Sequence, residues 1–105
     1  MGRDAKAAIF VVDDDDCILS AACAIIEQEK YECTCFPSGE SCLQQLRERP
    51  CDLLITDVRM PGISGIALLK ESLQIAPWLP VVVMSSYGDI PMSVKALKAG
   101  AFYFI

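Results

Sequence analysis

Five short apolar runs punctuate the chain, and four stretches of helical periodicity separate them. Residues 7–12, Ala-Ala-Ile-Phe-Val-Val, are apolar throughout and halt at four consecutive aspartates, Asp13 to Asp16. A run without alternation predicts a central strand buried on both faces. The other strand candidates are residues 31–36, 52–56, 80–84 and 102–105, the fourth strand being rich in β-branched residues. Between them the spacing predicts a helix over about residues 17–30, capped by Asp15 or Asp16. A second helix starts at Ser38, carries Cys42, Leu43 and Leu46, and is closed by Pro50. A third starts at Ser64 after the Met60-Pro61-Gly62 turn and shows Ile66, Leu69 and Leu73 on one face. A fourth has Pro91 in its first turn and ends at Gly100.

Strict strand–helix alternation argues for one α/β domain: a parallel sheet with right-handed crossovers and helices on both faces. Such sheets place their sites at the carboxyl ends of the strands, near a topological switch point. The order 2-1-3-4-5 would bring the ends of the first, third and fourth strands together. Those ends carry Asp13 and Asp14, Asp57, and Ser85.

Composition narrows the function classes. At 105 residues and 53% hydrophobic, the chain can bury a modest core. A net charge of −5 argues against this domain gripping nucleic acid by itself. The longest apolar run is far short of a membrane span and the start does not resemble a signal peptide, so a cytoplasmic protein is expected. In that setting the six cysteines read as reduced, half-buried small hydrophobes. Cys33 and Cys35 share one face of a strand, but without a histidine or a second Cys-x-x-Cys pair a metal reading is disfavoured. The first helix has Ser20 as its only polar residue between Cys17 and Ile26. A helix apolar all round is expected to be covered on more than one side, by packing of its small residues or by a docked partner.

Three neighbouring carboxylates repel, and one takes up a proton unless a cation neutralises them. An all-oxygen set suits a hard dication such as Mg²⁺. A carboxylate beside it can attack phosphorus and become an aspartyl phosphate. Asp57 as acceptor, Asp13 and Asp14 as metal ligands, a backbone carbonyl of Arg59 in the metal shell, and Ser85 donating to the phosphoryl group form one coherent site. Each residue has an ordinary rival role: a helix-capping acid run, a strand-end acid facing water, a loop hydroxyl. Their joint placement at strand ends favours the site.

The same residues carry a resemblance. Val11-Val12-Asp13-Asp14-Asp15, residues 54–65 around Asp57, Pro80-Val81-Val82-Val83-Met84-Ser85 and Lys98-Ala99-Gly100-Ala101 resemble the receiver domain of bacterial two-component response regulators. Residues 86–97 are most similar to receivers of the NtrC and FixJ kinds. The resemblance implies a flavodoxin-like three-layer sandwich with a five-stranded parallel sheet, here lacking its last helix. It implies a phosphoacceptor switch that assists its own phosphorylation and dephosphorylation but is not otherwise an enzyme. It also implies Asp57 as acceptor of a phosphoryl group from a sensor histidine kinase, Mg²⁺ held by Asp13, Asp14, Asp57 and the Arg59 carbonyl, Ser85 as phosphoryl-sensing hydroxyl, and Phe104 as switch aromatic. The family's kinases dock on the first helix. A homodimer is expected, with DNA contacted only through an output domain outside this chain.

Two departures stand out. The family has a Lys three residues beyond the switch aromatic, followed by Pro, whereas this chain stops at Ile105; Tyr103 stands where Asp is common. The expected organisation is a polar lead-in over residues 1–6 and a receiver over residues 7–105, cut before the Lys-Pro loop and fifth helix. The alternatives are a degenerate receiver working as an interaction module, or a phosphatase of the haloacid-dehalogenase kind. The latter wants a second acid where this chain has Arg59. Flavodoxin-like cofactor binding lacks a phosphate loop after the first strand.

Overall fold

A computed structural model of the chain describes residues 6–85 and 90–105. Most of the lead-in and the expected loop residues Ser86, Tyr87, Gly88 and Asp89 lie outside the described residues. The elements run β1 (Ala8–Val12), α1 (Asp16–Gln28), β2 (Glu32–Phe36), α2 (Gly39–Glu48), β3 (Leu53–Asp57), α3 (Gly65–Ile75), β4 (Val81–Met84), α4 (Ile90–Lys98) and β5 (Tyr103–Phe104). All strand pairs are parallel, in the order β2-β1-β3-β4-β5. The sequence pattern anticipates every element, with ends shifted by one or two residues. The largest consequence is that β3 includes Asp57 as its last residue.

Alternation along β1 divides the core. Phe10 and Val12 point into the larger cluster with Leu43, Leu54, Leu69 and Val83. Ile9 and Val11 point the other way, onto Leu19 of α1. Phe10 also meets Phe36 edge-on, with ring centroids 4.9 Å apart. Leu68, outside the predicted stripe of α3, is as fully buried as Leu69, because α3 is wedged between the sheet and its neighbouring helices. Sequence-local caps define the helix starts. Asp15 accepts from the Cys17 and Ile18 amides, Ser38 from Ser41, and Ser64 from Ala67.

One expectation is narrowed and one is corrected. Within this chain helix α1 is covered on one side only: Leu19 is its one buried residue, while Ile18 and Ile25 are 44% and 62% exposed, which removes the packing alternative for its outer face and leaves the docked partner. Ala21 and Ala24 are exposed as well, and only one stripe meets the sheet. The cysteines are also not all reduced, since Cys23 and Cys35 form a disulfide. Packing of α1 on β2 carries Cys23 across to the strand face that displays Cys33 and Cys35, a juxtaposition that their sequence spacing does not reveal. Cys42 and Cys51 do behave as buried hydrophobes; burial pushes their thiols up to about 12 and about 11, which keeps them protonated and inert.

Candidate functional site: an acidic cleft at the strand ends

Register assembles the site. Val12 lies opposite Thr56, and Asp57 opposite Met84. Asp13, the first residue past β1, therefore stands beside the end of β3. Carboxylate oxygens of Asp13, Asp14 and Asp57 lie within 4.8 Å of one another. A small cleft lined by Asp13, Ile18, Asp57, Met84 and Ser85 opens above them.

The four-aspartate run divides its labour. Asp13 is only 3% exposed. Its amide donates to the Phe36 carbonyl (3.1 Å), and its Oδ1 accepts from the Asp15 amide (3.0 Å). Asp14 is exposed, Asp15 caps α1, and Asp16 begins the helix, where a negative charge suits the dipole. Asp57 is half-buried and fixed through its backbone. The Thr56 hydroxyl donates to the Asp57 carbonyl (3.0 Å), and the next amide, Val58, donates to Met84 (2.8 Å). The turn closes when the Gly65 amide donates to the Val58 carbonyl (2.9 Å).

Burial, more than any other cause, lifts the Asp13 carboxyl above its ordinary value; the charges of Asp57, Asp14 and Asp15 add to it, against the Asp15 amide. Burial likewise lifts Asp57, with Asp14 adding, while the Val58 and Arg59 amides and the Arg59 charge oppose. These acids are held in a place that disfavours their charge. A hard dication would relieve that cost, and the oxygen-only donor set fits one.

The sign of the effect on stability follows. An acid that titrates higher when folded binds more protons in the folded state, so stability falls as pH rises from the unfolded value through the raised one. In chelator-treated protein, Asp13→Asn and Asp57→Asn are expected to raise the melting temperature at neutral pH. The gap should close below about pH 4. A hard divalent cation should stabilise the parent chain and leave both variants nearly unmoved. Lower melting temperatures in both variants at neutral pH would contradict this electrostatic picture.

The remaining sequence-nominated residues distribute around the cleft. Ser85 lines it, and its amide donates to the Ile105 carbonyl (3.0 Å). Arg59 is exposed two residues beyond Asp57 and lines an adjoining groove with Met60, Ser64, Lys70, Met92 and Lys95. Phe104 is half-buried one strand away, opposite Val83, and packs on the core without lining the cleft. Tyr103 points outward, 59% exposed. Sequence reasoning assigned no role to Gly65, whose missing Cβ lets the start of α3 press against the backbone of Asp57 and Val58. A glycine directly after a helix cap, where it costs helix stability, was the available signal.

An open parallel sheet ordered 2-1-3-4-5 with a carboxylate cluster at its switch point defines a flavodoxin-like α/β domain whose acidic cluster could hold a hard cation. The chain matches the family described as "Response regulator receiver domain" over residues 9–105 and belongs to that family. It is 37% identical over 102 residues to the response regulator protein TmoT of Ectopseudomonas mendocina, covering 97% of this chain and 46% of TmoT. It is 36% identical over 100 residues to the DNA-binding transcriptional regulator NtrC of Escherichia coli (strain K12), covering 95% of this chain and 21% of NtrC. The chain thus spans less than half the length of these relatives. Among solved structures, a response regulator receiver domain protein from Clostridium thermocellum superposes with a TM-score of 0.89 at 32% identity, covering 94% of this chain and 80% of that one.

Proposed function

We propose that residues 7–105 form a phosphoacceptor unit in which the Asp57 carboxylate receives a phosphoryl group from a phosphohistidine on a sensor histidine kinase. The observation that carries this reading is the convergence of Asp13, Asp14 and Asp57 within 4.8 Å at the rim of the sheet. An Asp57 carboxylate oxygen attacks phosphorus in line with the departing imidazole nitrogen; the O–P bond forms as the P–N bond breaks. Asp13, Asp14, Asp57 and the Arg59 backbone carbonyl would hold Mg²⁺, which when bound supplies charge neutralisation for the phosphoryl oxygens. The Ser85 hydroxyl donates to a phosphoryl oxygen, and Phe104, on the neighbouring strand β5, registers the movement. The acyl phosphate is hydrolysed in the same cleft, so the domain is a self-resetting switch rather than an enzyme acting on a separate substrate.

This reading carries a cytoplasmic placement and an output domain beyond this chain as the route to DNA; no described helix is long and apolar enough to cross a membrane. A homodimer through α4 and β5 is part of the same proposal, since Val94, Leu97, Phe102, Tyr103 and Ile105 are all exposed there. Acetyl phosphate with Mg²⁺ should phosphorylate the protein, and chelation should stop it. Labelling that ignores Mg²⁺ would refute the proposed metal role. Absence of labelling in a chain extended to the full length of its relatives would favour an interaction module that works without phosphorylation.

The exposed small-residue face of α1 supports kinase docking there. Ala21→Glu or Ala24→Glu is expected to slow phosphotransfer from the kinase by about tenfold, the loss of roughly 1.4 kcal/mol of contact. Acetyl phosphate labelling should be unchanged. Equal loss with both donors would remove α1 from the docking surface.

A further inference from the structure

A second cluster lies away from the acidic cleft and has the opposite chemical character. The sulfurs of Cys23, Cys33 and Cys35 all lie within 4.8 Å of one another. Two-residue alternation puts Cys33 and Cys35 on one face of β2, and Cys23 descends onto them from α1. Cys23 and Cys35 are bonded, and the Cys33 sulfur stands 2.7 Å from that of Cys23 and 3.8 Å from that of Cys35. All three residues are half-buried, and Cys33 and Cys35 pack against the apolar cluster of Ile9, Val11 and Leu19.

The donor set decides the ligand class. Sulfur-only donors select soft cations, whereas the aspartates of the cleft select hard ones. Structural Zn²⁺ asks for four ligands, and the cluster offers three. Three sulfurs around one ion at about 2.3 Å stand about 4 Å apart; Cys33 and Cys35 already stand 3.8 Å apart, and reduction of the Cys23–Cys35 bond frees Cys23 to move out to that distance. We propose that, when the Cys23–Cys35 bond is reduced, Cys23, Cys33 and Cys35 bind one thiophilic cation of the Cu(I) class, and that closing the disulfide abolishes the site.

The oxidant is a small-molecule disulfide of the glutathione type. The Cys35 thiolate attacks one of its sulfurs and expels one small thiolate. The Cys23 thiolate then attacks Cys35 in the mixed disulfide and expels the second. Two electrons pass from the cysteine pair to the small disulfide, two small thiols are released, and the Cys23–Cys35 bond remains. Cys33 takes no part in that bond, yet it is a required ligand of the reduced form. It therefore separates the metal site from a disulfide that only braces α1 on β2.

The test uses the whole chain, reduced without oxygen and given Cu(I) as its acetonitrile complex in competition with a chromophoric Cu(I) chelator. The expected result is one Cu(I) per chain with thiolate-to-copper absorption in the ultraviolet. Cys33→Ser should weaken binding about 100-fold or more, beyond what outer contacts usually contribute. Cys17→Ser, which alters an exposed cysteine outside the cluster, should bind like the parent. Preoxidation with glutathione disulfide should abolish binding, peptide mapping should recover the Cys23–Cys35 pair, and reduction should restore uptake. Circular dichroism and acetyl phosphate labelling confirm that each variant is folded, and Cys35→Ser supplies a second ligand deletion. Undiminished binding in Cys33→Ser, or no binding by the reduced parent, overturns the proposal. Preference for Zn²⁺ over Cu(I) overturns the cation class.

Discussion

Asp57→Asn is expected to reduce phosphoryl incorporation to background with acetyl phosphate and kinase alike. The amide is nearly isosteric but lacks the anionic oxygen that attacks phosphorus. Because Asp57 is held by its backbone, through Thr56 and the Val58 amide, the fold should survive the exchange. Removing a carboxylate from a crowded, half-buried cluster should even stabilise cation-free protein. Loss of labelling together with a raised melting temperature is a combination that misfolding cannot produce. Radiolabel incorporation and a thermal melt on the same sample read both.

Gly65→Ala is the second large effect, and its sign is diagnostic. In an ordinary exposed helix this exchange would add about 1 kcal/mol of stability. Here a Cβ would overlap the Asp57 carbonyl oxygen and sit 2.9 Å from both the Asp57 carbonyl carbon and Val58 Cα. These are backbone atoms and cannot swing aside. The chain must move α3 away from β3, which costs about 3 kcal/mol. The same movement shifts the Asp57 carboxylate relative to Asp13. Urea unfolding should show the destabilisation, and acetyl phosphate labelling should slow at temperatures where the variant is still folded. A neutral or stabilising result would mean that α3 does not depend on this close approach.

The comparison of sequence and structure follows the range of the forces involved. Unbroken apolar runs ending in acids made β1 and β3 legible, and Ser38 and Ser64 marked two helix starts, because strand burial and capping are local. Asp13, Asp14, Asp57 and Ser85 could be joined from sequence because topology alone fixes where parallel strand ends meet. What escaped depended on contacts between elements. Leu68 is buried by the neighbours of α3, Cys23 meets Cys35 only through the seating of α1 on β2, and Gly65 matters because of the backbone it faces. Packing within the chain covers only one stripe of α1, so of the two expected covers for its outer face the docked partner is the one that stays open.

The proposed role of Asp57 is that of acceptor in a cation-assisted cleft. Borohydride trapping tests it most directly: the protein is incubated with acetyl phosphate and Mg²⁺, the acyl phosphate is reduced, and the modified residue is located by peptide mass spectrometry. A single Mg²⁺-dependent conversion at position 57 is expected. Conversion at Asp13 or Asp14 instead, or at Asp57 with no dependence on Mg²⁺, would contradict it.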